Sequence, residues 1–258
     1  MSAGVHAAAF VDPAAELGVG VEIGPGTLVG PDVRIGDRTR VGAHALLTGW
    51  TRIGSDCVLH HGAVLGSPPQ DLKFKGERTA LIVGDRTVVR EYVTANLATQ
   101  PEGATRIGSD TLLMAYAHVA HDCVVQDHVV VANAVQLAGF VTIEDWAIVG
   151  GGTVVHQFVR IGRHAIIGGG SRIPQDVAPF VVTAGSPPRN AGINRIGLER
   201  RGVPPETRAA LEQAYRVLFR DGLTVPAAVA RLRESLGGVP EVEHLARFAE
   251  TSARGLTR

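Results

Sequence analysis

The sequence predicts a mostly β fold, a parallel β-helix built of hexapeptide repeats, followed by a small C-terminal α-helical domain. An apolar residue returns at every sixth position from Leu17 to Leu65, and again from Ile107 to Ile173. Glycine follows many of these residues and turns a corner there at little conformational cost. A helix repeats every 3.6 residues and a strand every 2, so neither accounts for this period. Three repeats make one triangular coil, and residues three repeats apart therefore stack on neighbouring coils.

Two segments interrupt the repeat. The first, near residues 67–80, carries a proline pair and five charged residues, among them both lysines of the chain. The second lies near residues 100–106. Both are predicted to protrude as loops, because proline-rich and polar segments break the pattern of the strands. Prolines from Pro174 onward are expected to end the prism, which gives a β-helix domain of residues 1–190.

The C-terminal part changes to a helical period. Apolar residues fall at i, i+3, i+4 and i+7 from Leu211 and again from Val242. Another helix is expected between Thr224, a candidate N-cap, and the pair Gly237-Gly238. The pattern therefore predicts a small helical domain over residues 191–258.

Composition narrows the class of protein. The formal net charge is zero, whereas a nucleic-acid-binding protein would need a basic stripe. The two cysteines, Cys57 and Cys123, lack metal-ligand spacing and are expected to be buried free thiols. No apolar run is long enough to span a membrane, and no N-terminal secretion signal is recognisable. We expect a cytoplasmic protein without an integral membrane segment or a nucleic-acid partner.

The stretch AHVAHDC carries the residues best suited to chemistry. His118 and His121 lie at outward positions of the repeat, and Asp122 follows His121. A neutral imidazole accepts a proton near neutral pH while a carboxylate holds its tautomer. Stacking places Gly139 one coil from His121, where its backbone N–H could stabilise an oxyanion. The pattern alone leaves open that these are ordinary polar groups on the surface of a solenoid.

Five stretches resemble one family of hexapeptide enzymes, the UDP-N-acetylglucosamine O-acyltransferases of lipid A biosynthesis. They are HGAVLGSPPQDLKFKGERT, LLMAYAHVAHDC, LAGFVTIEDWAIVGG, VHQFVRIG and GLERRG. The resemblance covers nearly the whole chain, and the QDLK loop together with AHVAHDC is specific to this family among hexapeptide acyltransferases. It implies a left-handed parallel β-helix and a homotrimer with active sites in the clefts between subunits.

The resemblance also implies the reaction. A (R)-3-hydroxyacyl group passes from acyl carrier protein to the 3-hydroxyl of UDP-N-acetylglucosamine, by direct general-base catalysis without a covalent acyl-enzyme. The phosphopantetheine of the carrier protein holds the acyl group. No further cofactor and no metal is expected.

Roles carry over by position in the matching motifs. His121 resembles the family's general base, Asp122 its orienting partner, and Gly139 the residue whose N–H holds the oxyanion. Gly169 matches the family residue whose side chain limits the length of the acyl chain. A glycine at this position implies an acyl groove that is open to a longer chain. The remaining matches are substrate contacts: Asp71, Lys73, His118, His156 and Gln157, with Asn194, Arg200 and Arg201 near the nucleotide.

Two residues depart from the family pattern. Phe140 stands where the family usually has His, and Ile196 stands where an acidic residue near the ribose is expected. By stacking, Phe140 lies between Asp122 and Phe158, which gives that side of the cleft an apolar patch. A related acceptor, such as a 3-amino sugar that would give an amide, therefore stays open.

Two further interpretations compete with the enzyme assignment. Hexapeptide prisms also host zinc enzymes with three histidine ligands, but the stacked neighbours of His118 and His121 are Gln136 and Gly139. A non-catalytic solenoid that has lost its acceptor site is the other. Arg216 and Arg220 are candidates for docking the acidic carrier protein by their charge alone. Cys123 is expected to pack in the core rather than react.

Overall fold

The computed structural model describes residues 4–258 and shows a three-sided prism followed by helices. In chain order the strands are β1 Phe10–Val11, β2 Glu16–Leu17, β3 Glu22–Ile23, β4 Leu28–Val29, β5 Arg34–Ile35, β6 Arg40–Val41, β7 Leu46–Leu47, β8 Trp50–Ile53, β9 Val58–Leu59, β10 Val64–Ser67, β11 Ala80–Val83, β12 Val88–Val89, β13 Thr94–Asn96, β14 Ala104–Ile107, β15 Leu112–Leu113, β16 His118–Val119, β17 Val124–Val125, β18 Val130–Val131, β19 Gln136–Leu137, β20 Thr142–Ile143, β21 Ile148–Val149, β22 Val154–Val155, β23 Arg160–Ile161, β24 Ile166–Ile167, β25 Arg172–Ile173, β26 Val181–Gly185 and β27 Pro188–Ile193.

Every third strand pairs in parallel with the next, so three sheets form the faces of the prism. Sheet I runs from β1 to β25, sheet II from β2 to β23, and sheet III from β3 to β24, extended by β26 and β27. In most strands the second residue points inward, and these residues form one continuous apolar core. The parallel β-helix predicted from the six-residue period is confirmed.

The two excursions lengthen single coils without breaking the sheets. Ordinary stacked residues are 18 apart, as in the pair Arg38–Asp56. The spacing grows to 30 across the first excursion and to 24 across the second. Strand β11 resumes at Ala80 and β14 at Ala104, so the first excursion occupies residues 68–79 and the second residues 97–103.

Strand pairing continues through the proline-containing segment that follows Pro174. Strand β26 pairs in parallel with β24, and β27 then returns antiparallel to β26. Pro188 begins β27 at the edge of sheet III, where a residue without an N–H is tolerated. The residue 190/191 boundary predicted between the domains falls inside β27.

Four helices follow: α1 Arg195–Arg200, α2 Pro205–Phe219, α3 Val225–Leu236 and α4 Pro240–Glu250. Helices α2 to α4 lie where the apolar period predicts them. Helix α1 was not predicted, because six residues are too few to show a period; the Asn194 side chain caps it by accepting the Gly197 N–H at 3.0 Å. The helices share an apolar core with Phe180 and Val181 of the last coil.

Side chains of the prism fasten the helical domain. Glu144 accepts a hydrogen bond from His244 of α4 at 2.8 Å, and the Arg160 guanidinium lies 4.0 Å from the centre of the Phe248 ring. Both cysteines are buried and free, as predicted. No helix among residues 4–258 is long and apolar enough to cross a membrane.

Candidate active site

A histidine–aspartate pair lies at the corner where the chain passes from sheet I to sheet II. His121 Nδ1 and Asp122 Oδ2 are 2.8 Å apart, and only 15% of the His121 side chain is exposed. Asp122 has φ of 60°, a left-handed conformation that Asp tolerates better than most residues. Since Nδ1 donates to the carboxylate, Nε2 carries the lone pair that can accept a proton.

Gly139 lies directly against the imidazole, one coil further along. A Cβ at this position would collide with His121 Cε1 and would lie 2.7 Å from Nε2, so only glycine fits. The Gly139 N–H finds no acceptor within the part of the chain that the structure describes. An N–H without an acceptor, lying next to a general base, is suited to stabilise the oxyanion that forms during acyl transfer.

Thr99 supports Asp122 from the second excursion. Its hydroxyl donates to Asp122 Oδ2 at 2.6 Å, and its backbone N–H lies 3.1 Å from Oδ2 and 3.2 Å from Oδ1. Thr99 was not predicted from the sequence. Because Thr99 and Asp122 are 23 residues apart rather than 18, counting repeats could not have paired them.

His118 is the second histidine of the motif and faces outward from β16. Thr94 Oγ1 lies 2.7 Å from His118 Nδ1. Burial, and then the nearby His121, lower the pKa of His118. At physiological pH, His118 is therefore a neutral hydrogen-bonding group near the His121–Asp122 pair, which is called the dyad below.

Two phenyl rings form the apolar patch that stacking predicted. Phe140 meets the His121 ring edge to face with centroids 5.5 Å apart, and Phe140 stacks on Phe158 at 4.8 Å. Phe158 is 49% exposed, so the patch is open to a ligand. His156 and Gln157 lie exposed at the same corner as Phe158.

Asp71 and Lys73 lie in the first excursion, and the Asp71 carboxylate accepts the Lys73 N–H at 2.9 Å. Within residues 4–258 no hydrogen bond or ion pair joins either side chain to the His121–Asp122 pair. Leu72 between them is fully exposed. The loop is held at its entry by Asn96, whose Nδ2 donates to Pro68 O at 3.1 Å.

A second cluster lies on sheet III, around a cavity of about 620 Å³. Asn194, Arg200 and Arg201 line it together with apolar residues of the sheet. The Asn194 amide is already used, since it caps α1 and donates to His164 O at 2.9 Å. Ile196 also lines the cavity, so this wall offers no carboxylate at that position.

Arg201 rests on aromatic residues of the prism. Its guanidinium lies 4.9 Å from the centre of the Trp146 ring, and Nη1 lies 3.5 Å from His164 Nδ1. Burial, and then the charges of Arg201 and Arg163, lower the pKa of His164 to about 4. A neutral His164 accepts from Arg201 without repelling it. Trp146 and His164 were not predicted, because their contact with Arg201 depends on how the tail docks.

The two clusters lie on opposite sides of one chain. The dyad is at the corner between sheets I and II, and the opposite face of a three-sided prism is sheet III, where Arg201 lies. One ligand cannot touch both within a single chain. Gly169 lies at a different corner, between β24 and β25, and is exposed.

Two chemical alternatives bear on the same residues. Among residues 4–258 no three His, Cys, Asp or Glu side chains gather as a metal shell would require. Burial raises the pKa of Cys123 to about 12, and its Sγ lies 3.1 Å from Ala138 O. The thiol next to the dyad is therefore a poor nucleophile.

Comparisons with known proteins agree with this geometry. A model described as "Bacterial transferase hexapeptide (six repeats)" matches residues 14–49 and 104–139. A model described as "Udp N-acetylglucosamine O-acyltransferase; Domain 2" matches residues 176–257. The chain is 42% identical over 255 residues to the acyl-[acyl-carrier-protein]–UDP-N-acetylglucosamine O-acyltransferase of Thermodesulfovibrio yellowstonii, covering 98% of this chain and 99% of the relative. The relative of the same name in Paraburkholderia phytofirmans is 45% identical over 259 residues, covering 98% of this chain and 99% of the relative.

Solved structures match over the same length. LpxA from Acinetobacter baumannii superposes with a TM-score of 0.96 at 40% identity, covering 98% of this chain and 99% of that one. LpxA of Bacteroides fragilis, a UDP-N-acetylglucosamine acyltransferase, gives a TM-score of 0.96 at 37% identity, with the same coverage. Fold and dyad together define a hexapeptide-repeat acyltransferase with a left-handed parallel β-helix. Within that class, the chain belongs to the UDP-N-acetylglucosamine O-acyltransferase family.

Proposed function

We propose that this protein transfers a (R)-3-hydroxyacyl group from acyl carrier protein to the 3-hydroxyl of UDP-N-acetylglucosamine. This is the first step of lipid A biosynthesis, and we place it in the cytoplasm. The single observation that carries the proposal is the pairing of a carboxylate-held imidazole with the uncapped Gly139 N–H. The substrates are inferred from family membership, because the relatives are named for acyl carrier protein and UDP-N-acetylglucosamine.

The chemistry follows from the positions of three groups. His121 Nε2 takes the proton of the sugar hydroxyl as that oxygen attacks the thioester carbon. The Gly139 N–H stabilises the oxyanion of the tetrahedral intermediate. The carbon–sulfur bond then breaks, and the pantetheine thiolate takes the proton back from the His121 imidazolium. Asp122 remains ionised throughout and stabilises the imidazolium. The route needs no metal and no further cofactor.

A homotrimer would complete this site. The dyad corner of one subunit could face sheet III of the next, where Arg200 and Arg201 would then meet the diphosphate with paired guanidinium donors. The outward residues of sheet III support this packing, since from β9 onward they are apolar and only partly exposed: Val58, Val88, Leu112, Val130, Ile148, Ile166 and Val182. Sheet II instead presents arginines at many of its outward positions.

The remaining assigned residues would surround the substrates. Asp71 and Lys73 lie on an exposed loop that could reach a neighbouring subunit. His118, His156 and Gln157 line the corner beside the dyad. Gly169 would leave the acyl groove open to a longer chain. Asn194 would act through the shape of α1 rather than by direct contact, because its amide is already hydrogen-bonded.

The test is a mass-resolved transfer assay with UDP-N-acetylglucosamine and 3-hydroxyacyl carrier proteins of graded chain length. We expect a product heavier by one hydroxyacyl group, and a loss of at least about 100-fold in His121→Ala. The matched control is His6→Ala, because His6 is an exposed histidine in the first coil.

The outcomes separate the possible acceptors. Transfer to a 3-amino analogue but not to UDP-N-acetylglucosamine would replace the ester by an amide product. No transfer to either acceptor by a folded protein would contradict the enzyme assignment. Full activity in His121→Ala would remove the proposed base.

A further inference from the structure

The second excursion places one residue on the carboxylate of the dyad. Within residues 97–103, Thr99 gives Asp122 both its hydroxyl and its backbone N–H, at 2.6 Å and 3.1 Å from Oδ2. With His121 Nδ1 at 2.8 Å, Oδ2 receives three donors. The Asp122 side chain is 9% exposed, so water supplies little of its hydrogen bonding.

The segment that carries Thr99 is itself tied down. Leu97 N donates to Ser67 O at 3.0 Å, and Glu102 N donates to Arg78 O at 2.9 Å. Ser67 is the last residue of β10, immediately before the first excursion, and Arg78 lies near the end of that excursion. The two excursions are therefore joined by backbone hydrogen bonds on either side of Thr99. These bonds fix the direction in which the Thr99 hydroxyl and backbone N–H point.

The backbone of Asp122 is anchored separately, since its N–H donates to Thr105 Oγ1 at 2.8 Å. This fixes the Cα but leaves rotation about χ2 free, and χ2 of Asp has broad wells. Rotation would carry Oδ2 away from His121 Nδ1. Among residues 4–258, the contacts from Thr99 and the bond to His121 are the hydrogen bonds to the carboxylate that oppose this rotation.

We propose that Thr99 is a positioning residue for catalysis, which holds the Asp122 carboxylate in the plane that keeps His121 Nδ1 protonated and Nε2 directed at the acceptor. The inference rests on the proposed function, because it assigns His121 as the base. It also gives the second excursion a role in the site, because Thr99 lies within that excursion.

The test compares Thr99→Val with Thr99→Ser. Valine keeps the shape and the backbone N–H but removes the hydroxyl donor, and serine restores that donor. We expect Thr99→Val to lower kcat about tenfold, the effect of one hydrogen bond to a charged group. The KM values of both substrates should stay within about twofold, and Thr99→Ser should recover most of the rate.

A double-mutant cycle adds a readout that general destabilisation would not move. In the Asp122→Asn background Thr99→Val should cost little more, because the carboxylate it positions is gone. The downfield proton signal of His121 Nδ1–H should shift or broaden in Thr99→Val and return in Thr99→Ser. Thr39→Val serves as the control for loss of a buried threonine hydroxyl, because Thr39 Oγ1 donates to Gly54 O at 2.8 Å and lies several coils from Asp122.

Several outcomes would overturn the inference. An unchanged kcat in Thr99→Val would do so, as would a full additive loss in the Asp122→Asn background. A rise in KM without a change in kcat would assign Thr99 to substrate binding instead. If wild type turns over and His121→Ala is inactive, such a result rejects only the role of Thr99. An inactive wild type rejects the proposed function itself, and the Nδ1–H signal still tests the contact.

Discussion

The Phe140 ring meets the His121 imidazole edge to face, with the ring planes 87° apart and the centroids separated by 5.5 Å. Phe140 in turn stacks on Phe158, at an interplanar angle of 19°. The proposed base is therefore held on one side by a carboxylate and on another by an aromatic column. No charge or hydrogen bond from residue 140 reaches the imidazole, so Phe140 can act only through packing.

Replacing Phe140 tests that packing. We expect Phe140→Leu to lower kcat by about threefold to tenfold, because an edge-to-face pair contributes about 0.5–1.5 kcal/mol beyond its buried area. The measurement is steady-state transfer with separate determination of kcat and KM. Tyr92→Leu is the matched control, since Tyr92 stacks on Tyr116 at a corner away from the dyad. Equal losses in the two variants would show that the Phe140 effect is not specific to the base.

Gly139 provides a steric test of the same site. A methyl group there would displace the His121 ring, so Gly139→Ala should cost about 100-fold or more in kcat while the protein still folds. Gly238→Ala is the control, because a Cβ at Gly238 meets nothing within 4 Å. Retained activity in Gly139→Ala would contradict the proposed oxyanion site.

Gly169 should decide the length of the acyl chain. Its corner is exposed, and a Cβ there would lie 3.1 Å from Gly151 O, so a longer side chain must point outward into the proposed groove. We expect Gly169→Met to lower kcat/KM about tenfold for long acyl chains, because about two methylene groups of the acyl chain would no longer be buried in the groove. Short acyl chains should be transferred as before, which provides the internal control. An unchanged preference across the panel of carrier proteins would reject the role of Gly169.

Cys123 should be dispensable despite its place next to the dyad. Its thiol is buried, and burial raises its pKa to about 12, so little thiolate forms near neutral pH. Cys123→Ala should keep most of the activity and lose stability through the missing buried sulfur. Transfer rate and thermal unfolding, measured together, separate the two effects. Complete loss of turnover with unchanged stability would reopen a covalent route.

Much of the fold could be predicted, because the six-residue period follows directly from the geometry of a triangular coil. The same geometry predicts that Gly139 lies against His121 and Phe140 against Phe158, as the structure shows. Those predictions succeeded where successive coils keep the spacing of 18. They rest on local backbone geometry alone.

The rest depended on interactions that no period reports. Thr99 was not predicted because the second excursion changes the spacing between stacked residues. Helix α1 was not predicted because it is too short to show a helical period. The hairpin β26–β27 was missed because its prolines suggested a stop rather than a sheet edge. Trp146 and His164 reach Arg201 only through docking of the tail. The contact of Thr99 with Asp122 and those of Arg201 with Trp146 and His164 are set by tertiary packing between segments distant in sequence.

The docking of the tail on the prism can be tested through pH. Burial raises the pKa of Glu144, but the hydrogen bond and charge of His244, the Arg163 backbone N–H and the charge of Arg160 together lower it more, so its pKa lies below the ordinary 4.5. A carboxyl with a lowered folded-state pKa stabilises the protein above its ordinary pKa, and that contribution is lost as pH falls through the lowered value. The free energy of unfolding should therefore decrease on acidification below about pH 4.5.

Glu144→Gln should lower the free energy of unfolding by about 1–3 kcal/mol at neutral pH and flatten its decrease on acidification. Denaturant titrations across a pH series measure both, with Glu102→Gln as an exposed control. The same acid dependence in both variants would show that the Glu144–His244 pair does not secure the helical domain.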